Sequence, residues 1–225
     1  VIQYLYDTFK DKIDINQQDN HDCYTALMLA VQYNTNEKVT QYLCDTFKDE
    51  IDINIQCHWA HTVLMIALEY NEKVIQYLCD TFKDAIDINR QDKRGFTALM
   101  YAAKCNTNVA VIQYLCNIFK GAIDINIQNK YGDTALMIAA WHETHIEVFQ
   151  YLCDTFKYTI DINKQNNIGD TALMIAAKHN KNVAVIQNIC DTFKDTIDIN
   201  KQDDNGNTAL MLAALNNTNE TVIPY

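Results

Sequence analysis

The sequence predicts an all-α repeat solenoid, and three observations carry that expectation. The tetrapeptide Ile-Asp-Ile-Asn recurs with its first Ile at 13, 51, 86, 123, 160 and 197, at spacings of 38, 35, 37, 37 and 37 residues. A Thr-Ala-Leu-Met block begins at Thr25, Thr97, Thr134, Thr171 and Thr208, with Thr62-Val-Leu-Met as its variant. Between these blocks, apolar residues fall at helical rather than strand spacing. A period of this size marks stacked units, none of which buries its apolar face alone.

Each period reads as two helices and a loop. The first helix opens on a threonine, as in Thr134-Ala-Leu-Met-Ile-Ala-Ala140. Threonine at the N-cap satisfies an orphan backbone N–H, and the residues after it are good helix formers. An Asn- and Thr-rich turn follows. The second helix runs from Val111 to about Phe119 in the fourth block, with Val111, Ile112, Leu115, Cys116 and Phe119 along one face. Then Ile123-Asp-Ile-Asn126 leads into a polar finger ending near Gly132. The Asp and Asn of that tetrapeptide are expected to bond local backbone in a turn.

Composition agrees with a folded chain. Of 225 residues, 48% are hydrophobic and 21% charged, with 5 Gly and 1 Pro. This excludes collagen-like, linker and Pro-rich classes. The net charge of −11 disfavours nucleic acid and anionic membranes as partners. No run of about 18 apolar residues is present, so no membrane span is expected. The chain opens on Val1-Ile-Gln-Tyr and closes on Val222-Ile-Pro-Tyr225, at the same repeat phase. It is therefore expected to be a fragment of something longer, forming a single array over 1–225.

Asn126-Ile-Gln-Asn-Lys-Tyr-Gly-Asp-Thr-Ala-Leu-Met-Ile-Ala-Ala140 resembles the ankyrin-repeat pattern D-V-N-x-x-D-x-x-G-x-T-P-L-H-x-A-A, with no gap from Asn126 to Thr134. Gly121-Ala122 and His145-Ile-Glu-Val148 are similar to the family's Gly-Ala and G-H-x-E-V. The resemblance recurs six times along the whole chain. It implies an ankyrin-like stack of helix pairs joined by β-turn fingers, with pairs starting near Thr25, Thr62, Thr97, Thr134, Thr171 and Thr208. Departures are also clear. Most periods are 37 residues rather than 33; one extra residue is placed in the interhelical turn and three after the second helix, lengthening that helix. The family's Pro is Ala here. Its His is Met at Met28, Met65, Met100, Met137, Met174 and Met211, which is expected to remove a side-chain hydrogen bond. The finger glycine is present at Gly95, Gly132, Gly169 and Gly206, but Cys23 and Ala60 replace it in the first two fingers. A Cβ in a left-handed turn costs about 1–2 kcal/mol. The first finger also carries one extra residue, so these two fingers are expected to be distorted or mobile.

The chemistry-bearing residues read mostly as structure. Cys44, Cys79, Cys116, Cys153 and Cys190 share one position in the second helix. Stacked helices about 8–10 Å apart are too far for disulfides. Buried thiols are expected, in a reducing cytoplasmic setting. Cys23, Cys57, His58 and His61 fall in adjacent fingers, but they lack any regular zinc spacing, so no metal is assigned. His142-Glu-Thr-His145 lies in a turn, without the helical spacing of a zinc protease. No nucleophile elbow or phosphate-cradling loop is present; no catalytic activity and no cofactor are expected.

Variation between repeats is more informative. In ankyrin arrays the concave face of fingers and first helices binds partner proteins. Carried over, the resemblance implies a binding face containing Trp59, His61, Arg94, Phe96, Lys104, Tyr131, Asp133, Trp141, His142, Ile168 and Lys178. Exposed aromatics and Arg anchor interfaces. With Lys93 and Lys130 the face reads as locally basic on an acidic molecule, while Asp80, Asp84, Asp154, Asp191 and Asp195 fall on second-helix ends. The expected partner is a protein with an acidic, partly apolar segment. Two other readings stay open: an array that targets a catalytic or membrane domain outside this chain, and a structural solenoid that self-associates through its uncapped ends.

Overall fold

The computed structural model describes residues 1–105, 108–142, 146–179 and 182–216. Every regular element among them is helical. The chain falls into two compact units, Val1–Asp87 and Ile88–Tyr225. In the first, α1 (Ile2–Phe9) is followed by the pair α2 (Ala26–Tyr33) and α3 (Glu37–Thr46), then α4 (Val63–Tyr70) and α5 (Ile75–Phe82). In the second the pairs are α6 (Ala98–Cys105) with α7 (Val109–Ile118), α8 (Ala135–Trp141) with α9 (Ile146–Phe156), and α10 (Ala172–His179) with α11 (Val183–Phe193); α12 (Ala209–Asn216) follows. The motif His142-Glu-Thr-His145 extends beyond the described residues at 143–145.

The threonine caps form as the sequence predicts. The hydroxyls of Thr25, Thr62, Thr97, Thr134, Thr171 and Thr208 each accept from the backbone N–H of the Met three residues on. Each such cap is worth about 1 kcal/mol. The methionines go further than expected. Met137 Sδ accepts from Thr134 N–H at 3.4 Å, and Met174 Sδ from Thr171 N–H at 3.4 Å. The hydrogen bond expected to vanish with the family's His is thus replaced here by a weaker sulfur acceptor. First helices are short and almost wholly apolar; in α8 and α10 every residue from the first Ala to the last Ala is buried. Second helices bury one stripe, as at Val148, Phe149, Leu152 and Cys153 of α9. α9 and α11 extend to the repeated Phe, whereas α3 and α7 stop one residue short of it.

The tetrapeptide loops join neighbouring repeats, which their local turn chemistry did not foretell. The expected local bonds are present: Asp124 Oδ1 accepts from Asn126 N–H at 2.9 Å. In addition the Asn side chain reaches the next repeat. Asn126 Nδ2 donates to the Thr159 carbonyl at 2.7 Å, and its Oδ1 accepts from Asp161 N–H at 2.8 Å. Asn16, Asn89 and Asn163 make the same two bonds to Glu50 and Asp52, to Ala122 and Asp124, and to Thr196 and Asp198. A glutamine two residues further on adds a second tie: Gln128 Nε2 donates to the carbonyls of Gly132 and of Gln165 in the next repeat.

The fingers correct one expectation. Cys23 and Ala60 adopt φ of +57° and +62°, so they take the left-handed conformation in place of glycine. The second finger is not distorted: Cys57 N–H bonds the His61 carbonyl at 3.0 Å, as Asn129 N–H bonds Asp133 at 3.0 Å in a glycine finger. The first finger closes one residue wider, from Asp19 N–H to the Tyr24 carbonyl at 2.9 Å, which absorbs its extra residue. Strain at Cys23 and Ala60 is the cost, instead of a lost turn. Glycine is required at Gly132 for a second reason. A Cβ there would stand 2.5 Å from the Asn167 backbone nitrogen of the next finger.

Candidate protein-recognition surface

In the unit Ile88–Tyr225 the finger tips form a continuous backbone strip. The carbonyls of Arg94, Tyr131 and Ile168 accept from the N–H groups of Lys130, Asn167 and Asp204, at 2.8, 3.0 and 3.2 Å. Arg94, Tyr131 and Ile168 therefore stand at one position of three successive fingers. Beneath each tip a short polar side chain shapes the turn. Asn129 Oδ1 accepts from the N–H groups of Tyr131 and Asp133, and Asn166 Oδ1 from those of Ile168 and Asp170. Asp92 and Asp203 do the same in their fingers. Sequence reasoning did not single out these base residues; their recurrence at Asp92, Asn129, Asn166 and Asp203 was the available signal.

Tyr131 and Ile168 are both 58% exposed, an aromatic and an aliphatic side chain side by side on the strip. Trp141, at the end of α8, is 53% exposed and stacks on His179 of α10 with ring centroids 3.8 Å apart. His142 is half-buried beside it.

Phe96 is a correction. It is only 8% exposed, because the ring packs under the finger against Tyr101, with the Arg94 guanidinium 5.1 Å and the Lys104 ammonium 6.0 Å from its centroid. It supports the tip from below and offers no exposed anchor. Arg94 in turn reaches the Tyr101 hydroxyl at 3.1 Å and the Asp92 carboxylate at 3.8 Å. Burial, first, and then the Asp92 carboxylate against the strengthening pull of Arg94 leave the Tyr101 hydroxyl well above the usual tyrosine range.

Lys178 is the second correction, since it does not add a surface cation. Its ammonium is turned inward to both Asp170 oxygens at 2.6 and 2.7 Å, and lies 3.5 Å from Asp203. Asp133 is also half-buried. Desolvation pushes its carboxyl up, against a bond from Asn166 Nδ2 at 2.9 Å that favours the ion. The basic character of this face therefore rests on Lys93, Lys104 and Lys130 with Arg94, and is smaller than the sequence count implied.

In the unit Val1–Asp87 the second finger carries Trp59, which is exposed and meets His58 edge to face at 5.6 Å. His61 is half-buried in the same finger. Cys57 is buried, and Cys23 supplies the left-handed turn of the first finger. Among the described residues no three His, Cys, Asp or Glu side chains are placed to hold a metal ion, so Cys23, Cys57, His58 and His61 do not converge as ligands. The thiols at Cys44, Cys79 and Cys116 are pushed up to about 12 by burial, and Cys153 further in the same direction. No described helix is long and apolar enough to cross a membrane.

The model of the family described as ankyrin repeats (3 copies) matches residues 1–92, 80–166 and 153–223. No curated protein matches the chain.

Proposed function

The chain belongs to the ankyrin-repeat family, and from that premise we propose that it is a recognition module whose partner seats on the finger strip of the unit Ile88–Tyr225. Ankyrin repeats are generally protein–protein interaction modules, and the family is typically non-catalytic. The observation that supports this face is the row Arg94–Tyr131–Ile168, three exposed side chains on a strip held by inter-finger backbone bonds. A surface fixed before binding loses little conformational entropy on binding. Tyrosine and tryptophan supply large contact area, and Trp141 lies on the neighbouring helix end.

The partner is a protein with an acidic, partly apolar segment. Lys93, Arg94, Lys104 and Lys130 favour carboxylates at one end of the strip, while Tyr131 and Ile168 favour apolar side chains in the middle. Asp204 at the fourth finger disfavours an acidic group there, which gives the segment a direction. The buried thiols of Cys44, Cys79, Cys116 and Cys153 support a reducing, intracellular setting. Affinity capture from a cell lysate tests this reading, comparing the parent chain with Tyr131→Ala/Ile168→Ala. A protein kept by the parent and lost by the variant is expected. Equal retention would place the interface elsewhere.

A further inference from the structure

The fourth and fifth repeats treat the same acid differently. Asp133 and Asp170 each directly precede the capping threonine of a first helix, Thr134 of α8 and Thr171 of α10. Eight residues after Asp170 stands Lys178, whose ammonium closes on both Asp170 oxygens. Eight residues after Asp133, at the same place in α8, stands Trp141. Among the described residues no ammonium or guanidinium pairs with Asp133. Asp133, Asp170 and Asp203 stand in three successive fingers, and Lys178 lies on the second and third of them.

The surroundings of Asp133 call for a cation. Its charge is resisted by desolvation and by repulsion from Asp170, both of which a cation relieves. Its charge is favoured by Asn166 Nδ2, which donates at 2.9 Å. The buried Asn129 side chain, whose own Nδ2 has no other partner within hydrogen-bond distance, favours it too. Trp141, stacked on His179, keeps 53% of its surface exposed. A carboxylate with an exposed indole is the combination that holds a guanidinium, by a two-pronged hydrogen bond and by stacking on the ring.

We propose that Asp133 and Trp141 form a socket for an arginine side chain of the partner, which fills from outside the place that Lys178 fills from within one repeat later. This rests on the recognition face proposed above and names a residue that the bound segment carries beside its acidic group. Arginine is favoured over lysine because its planar head both forks a carboxylate and stacks on indole. Lys104 occupies in α6 the place of Trp141 in α8, so the partner's carboxylate and its arginine face neighbouring repeats. Stacked helices lie about 8–10 Å apart and an extended chain covers about 3.3 Å per residue, so the two groups are about three residues apart in the segment.

The probe is N-acetylarginine amide, with its neutral isostere N-acetylcitrulline amide as control. Each is titrated into the isotope-labelled chain and followed by nuclear magnetic resonance. The arginine compound should move the Trp141 Nε1–H and Asn166 Nδ2–H signals to saturation, and the citrulline compound should not. Asp133→Asn should weaken arginine binding by about tenfold or more, the loss of a hydrogen bond to a charged group. Asparagine already stands at this position as Asn207, so the turn tolerates it. Trp141→Lys should abolish binding as well, by supplying the ammonium from within the chain. The backbone spectrum of each variant confirms that it is folded. Because the probe is not the partner, its failure leaves capture through Tyr131 and Ile168 standing, and failure of that capture leaves the socket standing. An arginine compound that moves neither signal would overturn the proposal. So would equal shifts with the citrulline compound or with sodium chloride at the same concentration, or undiminished binding by folded Asp133→Asn.

Discussion

Trp141 stacks on His179 with their rings 3.8 Å apart and 22° from parallel, tying the end of α8 to the end of α10. Partial burial, and then the neighbouring Lys178 ammonium, hold the His179 imidazole below the ordinary histidine range. Between that lowered value and about 6.5 the unfolded chain binds more protons than the folded one. The stability contributed by neutral His179 is thus complete above the ordinary range and is lost as pH falls through it toward the lowered value. Thermal melts at neutral and mildly acidic pH should show the parent losing more stability on acidification than His179→Gln. Equal losses would contradict this.

Lys178 and its two carboxylates form an enclosed ion group. Asp170 and Asp203 are both buried, and the Lys178 side chain is largely so. Removing one partner of a buried pair leaves an uncompensated charge, which costs about 3 kcal/mol. Lys178→Met should lower stability by that order in urea unfolding. Adding Asp170→Asn to Lys178→Met should recover part of the loss. A Lys178→Met chain as stable as the parent would sink the assignment.

Asn126 makes two bonds to the next repeat, and each such bond is worth about 0.5–1.5 kcal/mol net. Asn126→Ala should therefore cost about 1–2 kcal/mol, although the position is not buried. Asn126→Asp keeps the acceptor and loses the donor to Thr159. It should cost at least as much, since it sets a carboxylate against that carbonyl. Hydrogen exchange at Asp161 N–H, the donor to Asn126 Oδ1, should speed up in the alanine variant. An unchanged rate there would remove Asn126 as an inter-repeat tie.

The thiols divide by environment. Cys44, Cys79, Cys116 and Cys153 are buried, with protonation favoured far above neutral pH, whereas Cys105 is exposed and Cys23 half-buried. The thiolate is the nucleophile, so the buried four react only through opening. Brief alkylation of native protein, mapped by peptide mass, should label Cys105 first and Cys23 next. Rapid labelling at Cys116 would refute the packing described for α7.

Much of this was legible in the sequence because repetition multiplies weak local signals. A single Thr-Ala-Leu-Met is a modest helix start; its recurrence made Thr25 through Thr208 secure caps. The side-chain ties between repeats were not legible. Asn126 and Gln128 look like ordinary turn residues until stacking brings the next backbone within 3 Å. Exposure was the least legible property. Phe96 and Tyr131 occupy neighbouring finger positions, yet the first turns under Arg94 and the second turns out. Lys178 was read as a surface cation because sequence alone does not show that its side chain turns back to Asp170, eight residues earlier, with Asp203 of the next finger close by.

The recognition face is tested most directly by the affinity of a captured partner for the parent chain and for Tyr131→Ala/Trp141→Ala/Ile168→Ala, matched for thermal stability and repeated at low and high salt. Anchor residues at interface centres cost about 2 kcal/mol or more each. A loss of affinity of at least a hundredfold is predicted, with parent binding that weakens as salt rises. Affinity unchanged within a few-fold, and indifferent to salt, would contradict the account.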